Sequence, residues 1–144
     1  MRGAFVLLGL FTGAALMCTA CQPGDAQGAR AIADYRLIEK ACAAAGIPYP
    51  PPKLFIRAFK QERELEIWGA ESERFHFLQT YPIVGVSGGP GPKRREGDRQ
   101  IPEGVYHIDR FNPNSRFHLS LGLSYPNKAD RLLGDPERPG SDIF

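Results

Sequence analysis

SGGPGPKRREGDRQIPEGVYHIDRFNPNSRFHLSLGLSYPN, from Ser87 to Asn127, is the stretch that decides the fold. Its first third, Ser87 to Gln100, is glycine, proline and charge with no apolar period, which reads as a long exposed loop. Ser87-Gly88-Gly89-Pro90-Gly91-Pro92-Lys93 superficially matches a phosphate-binding loop. That chemistry needs successive backbone amides at a helix start, whereas Pro90 and Pro92 each remove a donor and no helical period follows. Pro102-Glu103-Gly104-Val105-Tyr106 then leads the chain from loop to strand. Val105 to Phe111 and Phe117 to Leu123 read as strands, separated by the Asx-type turn Asn112-Pro113-Asn114-Ser115. The stretch therefore predicts a β structure carrying a large loop.

Upstream the same period of two recurs. Lys53 to Lys60 sets Leu54, Ile56 and Ala58 on one side and Phe55, Arg57 and Phe59 on the other. Glu64 to Trp68 alternates cleanly, Gly69 to Glu73 turns, and Arg74 to Tyr81 places Phe75 and Phe77 on one face. Ile83 to Val86 is expected to continue the sheet. Ahead of this meander, Ala26 to Ala45 is rich in helix formers, with Ile32, Tyr35, Ile38, Ala41, Cys42 and Ala45 near one face and Asp25 placed to cap. Gly46 ends the helix, and Pro48, Pro50, Pro51 and Pro52 impose an extended linker. The prediction is a mainly β domain over 53–144, preceded over 21–52 by a tether, one α-helix and a Pro-rich linker. Only a weak turn at Lys128 to Leu133 interrupts the β pattern, and no internal repeat is present.

The combination of Gly91-Pro92-Lys93, Pro102-x-Gly104-x-Tyr106, Asn112-Pro113-Asn114-Ser115-Arg116-Phe117-His118 and Tyr125-Pro126-Asn127 resembles the catalytic domain of L,D-transpeptidases of the YkuD type, in their murein transpeptidase-like branch. The resemblance covers roughly Lys53 to Phe144. It implies a YkuD-like β-sheet or sandwich, incomplete at its C-terminal side, and a cysteine nucleophile prepared by histidine. It also implies peptidoglycan stem peptides as substrate, with a peptidoglycan-linked lipoprotein as a further partner in hydrolytic relatives, and no metal or organic cofactor. In that family a further strand leads to a His-Gly and a Ser-x-Gly-Cys segment holding the catalytic pair. This sequence reaches Phe144 where that strand would begin, so the expectation is a chain without catalytic residues, either a fragment or a degenerate member. The resemblance offers Arg116, His118, Tyr125 and Asn127 as substrate-binding candidates. A neutral His118 imidazole near pH 7 has general-base chemistry open to it, and a supporting position in the sheet is the alternative.

Composition narrows the remaining classes. Lys and Arg number 18 against 16 acids, and without Arg2 the balance is 17 to 16, too even to predict a polyanionic partner, so no nucleic-acid partner is expected. The cluster Lys93-Arg94-Arg95 with Arg99 is interrupted by Glu96 and Asp98. It reads either as a solvated loop or as an attractor of peptide carboxylates. Met1 to Ala20 has one basic residue, an apolar run and a small-residue tail, the order of a secretory signal. The apolar run is shorter than the ~20 residues of a spanning helix. Thr19-Ala20-Cys21 resembles a bacterial lipoprotein junction, which predicts lipid at Cys21 and a periplasmic, membrane-attached product. Cleavage after Ala20 to a soluble exported protein is the alternative. Cys42, in a helical tract, reads as a buried apolar residue and not as a reactive thiol. His76 and His107 have neither the spacing nor the setting of a metal site.

Overall fold

The computed structural model describes residues 4–10, 26–116 and 118–144, with side chains over 34–116 and 119–144. The expected lipidation site, Cys21, and the expected cap, Asp25, lie outside the described residues. Two sheets and two helices make up the fold. A five-stranded sheet has the order β4-β3-β2-β1-β5, from β1 (Ala4–Leu10), β2 (Lys53–Phe59), β3 (Glu64–Ala70), β4 (His76–Pro82) and β5 (Val105–Tyr106). A separate antiparallel pair joins β6 (Ile108–Ser115) to β7 (His118–Leu123). Helix α1 spans Ala26–Ala45 and a short α2 spans Lys128–Leu133. The domain is mainly β with one N-terminal helix, as the periodicity predicts.

The meander β2-β3-β4 follows from the alternation. Its register sets Phe55 opposite Trp68 and Arg57 opposite Glu66. One face is consequently aromatic: the rings of Phe55 and Phe75 lie 5.5 Å apart, and Trp68 meets Phe77 edge-on at 5.5 Å. Arg57 crosses this face 4.8 Å from the Phe59 ring and 5.4 Å from that of Trp68, and pairs with Glu66 at 3.3 Å. Glu66 also accepts from Trp68 Nε1 at 2.8 Å. A charge laid over aromatic faces keeps a cation in a half-buried position at little desolvation cost.

Beyond the other end of this sheet lies the helix. α1 packs against β4, where burial and then the negative charge of Asp34 push the Tyr81 hydroxyl pKa up. Cys42 is fully buried, as expected, whereas Tyr35 of the predicted apolar face is 65% exposed. The Pro-rich linker also packs against the sheet. It is docked and not a free spacer: Pro51 is buried, and its Cβ and Ile47 Cδ1 approach the site where a Cβ on Gly69 would stand, at 3.0 and 3.1 Å. Leu78 Cδ1 comes within 2.8 Å of the same point. Gly69 is therefore a contact residue, there because linker and sheet leave no room for a side chain.

Three further differences concern strands. Ile83 to Val86 does not extend the sheet: Ile83 N–H closes onto Arg63 C=O at 2.7 Å, and Val84 is 94% exposed. The single strand expected from Val105 to Phe111 divides at His107 into β5 and β6, which enter different sheets. Ala4–Leu10, within the run assigned to the signal, pairs antiparallel with β2 along its length and parallel with β5 at Val6 and Leu7. An apolar run suits a buried strand as well as a signal's hydrophobic segment.

Gly69→Ala is expected to lower stability by about 1–3 kcal/mol, because the added methyl meets three apolar side chains that share one packed seam. Urea denaturation of the two chains measures it. The loss should be greater for Gly69→Val.

Candidate functional site

Two of the motif segments, Pro102-x-Gly104-x-Tyr106 and Tyr125-Pro126-Asn127, converge on one buried carboxylate. Asp130, 5% exposed, accepts the Tyr106 hydroxyl through both oxygens at 3.0 and 2.9 Å. It also accepts Asn127 N–H at 2.9 Å, while Asn127 Oδ1 accepts Asp130 N–H at 3.0 Å, a reciprocal capping box that starts α2. Asn127 Nδ2 reaches back to Val105 C=O at 3.3 Å. Tyr106 has no exposed surface, and its hydroxyl pKa is driven well above the usual range by burial and then by the Asp130 hydrogen bond. It is a permanent donor and packs within the fold. Gly104 is required beneath it, since a Cβ there would stand 2.9 Å from the Tyr106 hydroxyl.

The Gly-Pro loop is built against this frame. Lys93 is only 6% exposed, so it is no part of a solvated basic cluster; it pairs with Asp98 at 2.8 Å and donates to Arg95 C=O at 2.8 Å. Asp98 accepts as well from the backbone N–H groups of Arg94, Arg95 and Gln100, at 2.7, 2.9 and 3.0 Å. Burial works against its charge. The lysine and three amides together outweigh burial and hold the carboxyl well below the usual range. The loop is tied to α2's end by Asp135 N–H on Arg94 C=O (2.7 Å) and by Glu96 N–H on Arg138 C=O (2.8 Å). At its base Lys60 Nζ donates to Gly91 C=O at 2.8 Å and to Gln100 Oε1 at 3.3 Å. It lies 3.4 Å from Glu103 Oε1. One ammonium thus joins the loop to the Pro-x-Gly-x-Tyr segment.

The four substrate-binding candidates do not share a pocket. Tyr125 and Asn127 belong to the buried frame: Tyr125 packs on Tyr106 with ring centroids 6.2 Å apart and donates to Pro139 C=O at 2.8 Å. Arg116 and His118 sit at the opposite end of β7, at the hairpin turn where Ser115 pairs with His118. Six residues of strand separate the two groups, roughly 20 Å at 3.3 Å per residue. His107 is exposed, its backbone exchanging hydrogen bonds with Ser124. Among the described residues no cluster of His, Cys, Asp and Glu has the makings of a metal site. Cys42, a free thiol, has its pKa raised by burial, the reverse of what a nucleophile needs. Sequence reasoning missed Asp130, Asp98 and Lys60. Asn127-x-x-Asp130 carried a legible capping signal; Lys60, a lone lysine ending a strand, carried none.

Comparison with known proteins agrees with the motifs. The chain is 39% identical over 83 residues, 56% of its length, to a protein of Escherichia coli strain K12 named "Putative L,D-transpeptidase YafK", and equally to its counterpart in strain O157:H7. It spans about a third of the length of these curated relatives, 34%. No family model matches the chain. No solved structure matches it. The L,D-transpeptidase resemblance of the motifs is borne out by these relatives.

The acid limb of stability should report the Asp98 centre. A carboxyl whose folded pKa is depressed contributes fully above its unfolded value, about 4, and loses that contribution as pH falls toward the folded value. Asp98→Ala is expected to cost about 3 kcal/mol at pH 7, because it leaves Lys93 buried without its partner. The gap between the two chains should narrow steadily below about pH 4. Denaturation at a series of pH values measures both, and a gap that stays constant down to pH 2 would contradict this account.

Proposed function

We propose, from the likeness of this chain to L,D-transpeptidases, that it carries the strand-and-loop framework of an exported peptidoglycan-remodelling protein that binds stem peptides. The observation that carries the reading is the 39% identity to the two Escherichia coli relatives. It is supported by the joining of two of the motif segments, those of Tyr106 and Asn127, around Asp130. The chemistry is cysteine acyl transfer. A thiolate attacks the carbonyl of the diaminopimelyl–D-alanine bond, the D-alanine amine leaves with a proton, and an amine or water then takes the acyl group from the thioester and frees the thiol. Transfer and hydrolysis differ only in the acceptor.

Within these 144 residues the sequence holds three cysteines, Cys18, Cys21 and Cys42, and neither a His-Gly nor a Ser-x-Gly-Cys segment. Cys42 is buried in the region where α1 meets the sheet, with its thiol pKa raised, so it does not suit the role of that thiolate. Cys21 is the proposed lipid attachment point, giving a periplasmic protein held to the membrane by its acyl chains. The Thr19-Ala20-Cys21 junction supports this.

Two measurements test these proposals. The purified chain, incubated with disaccharide tetrapeptide, is expected to bind it and to release no D-alanine. Absence of binding would overturn the peptidoglycan reading, and release abolished by Cys42→Ala would overturn the assignment of Cys42 as a core residue. Labelled palmitate is expected to enter the chain in a bacterial host and to be lost in Cys21→Ala; a soluble mature form starting at Cys21 with a free amine would exclude the lipid.

A further inference from the structure

The turn that joins β2 to β3, Lys60-Gln61-Glu62-Arg63, faces the Gly-Pro loop across an open cleft of about 360 Å³. Lys60, Arg63 and Glu103 bring its charges, and Gly88, Gly89 and Gly91 expose backbone along the other wall. The size lies in the range of small-ligand pockets. The two cations are in different situations. Lys60 is 13% exposed in its side chain and fully occupied as the clamp described above, with Glu103 as its counter-ion. Arg63 has no hydrogen-bond or ion-pair partner for its guanidinium among the described residues, so the cleft keeps one uncompensated positive charge at its mouth.

Arg63 is also held in a conformation that its side chain disfavours. Its φ is +57°, in the left-handed region where glycine is at ease and a residue with a Cβ pays about 1–2 kcal/mol. The backbone there is fixed by Ile83 N–H on Arg63 C=O at 2.7 Å. A hairpin turn needs only a glycine at such a position. An arginine, strained in its backbone and unpartnered in its side chain, contributes nothing to the fold that glycine would not contribute better.

We propose that this cleft is a carboxylate-recognition site, in which the Arg63 guanidinium takes the terminal carboxylate of a peptide in a paired, fork-like contact. Lys60 sits beneath as a fixed second charge. The cleft and its charge stand independently of the function proposed above; only the identity of the peptide, a stem peptide ending in D-alanine, rests on that reading. The basic cluster at Lys93-Arg94-Arg95 is thereby relieved of this role for at least Lys93, whose charge is spent on Asp98.

Arg63→Gly separates recognition from folding because the two respond in opposite directions. The full chain and the variant are compared in amide NMR titrations with three probes: N-acetyl-D-alanine, a tetrapeptide ending in D-alanine, and the same tetrapeptide with its C-terminus amidated. In the natural chain both free acids are expected to shift the Gly88, Gly89 and Gly91 amides, and the amidated peptide to bind at least tenfold more weakly. Arg63→Gly should bind both acids at least tenfold more weakly while melting at the same temperature or higher. Equal binding by the variant, equal binding of the amidated peptide, or no binding of either acid by the natural chain overturns the site. Binding of N-acetyl-D-alanine at the cleft without binding of the tetrapeptide leaves the site standing and removes the peptidoglycan reading. Tetrapeptide binding untouched by Arg63→Gly does the reverse.

Discussion

The Asp130 carboxylate is the constraint on which the rest depends. A charged group with 5% exposure is tolerated only when its lone pairs are taken up, and here they are, by the Tyr106 hydroxyl and the Asn127 amide. Those two donors come from the end of the five-stranded sheet and from the segment after β7. The carboxylate therefore fixes where the β6-β7 hairpin returns relative to the sheet. α2 is a by-product of the same contact, since its cap is the other half of the Asn127–Asp130 exchange. Leaving either donor out would leave part of a buried carboxylate unsatisfied, at a cost of about 1–3 kcal/mol, which couples the two elements.

The loop from Ser87 to Gln100 shows how a segment without regular structure becomes rigid. Asp98 gathers one ammonium and three amides, and Lys60 closes the base from outside. Hydrogen bonds to an ionised acceptor are roughly twice as strong as neutral ones, so two charged centres organise fourteen residues that have no apolar core of their own. Conformation and function are then linked through position. The clamp that orders the loop also forms the floor of the Arg63 cleft, and the strain at Arg63 is carried by a hairpin whose strands are locked by the Arg57–Glu66 pair and its aromatic surroundings.

Much of the fold was legible because period and punctuation act locally. Ala26 to Ala45 reads as a helix from its composition, Lys53 and Glu64 open strands at a change of period, and Gly46 and the prolines mark the break between helix and sheet. What escaped was set by tertiary contact. Ile83 to Val86 has the composition of a strand but turns off the sheet at Ile83, whose N–H bonds Arg63 C=O, and Val105 to Phe111 divides because its two halves pair in different sheets. Of the candidate site, the motif segments were legible in the sequence, and the contacts made within them were not. Asn127 looked like a pocket residue and is occupied as a cap, and Lys93 looked like surface charge and is buried with Asp98. A sequence displays which residues are polar; it does not display which of them will spend that polarity on one another.

The N-terminal run illustrates a deeper ambiguity. Seven consecutive residues from Ala4 to Leu10 are apolar or glycine, and both a signal's hydrophobic segment and a central strand require that and little more. In the sheet this run stands between β2 and β5, supplying backbone partners to both. The same seven residues thus suit two environments, the sheet in which they pair and, on the export proposed above, a lipid phase. Cleavage after Ala20 would leave β2 with an open edge and β5 without a neighbour in the sheet. An open strand edge seeks another strand. Under the export proposed above, the sheet would therefore lack this strand, and β2 would have to take another partner along the edge it now shares with Ala4–Leu10.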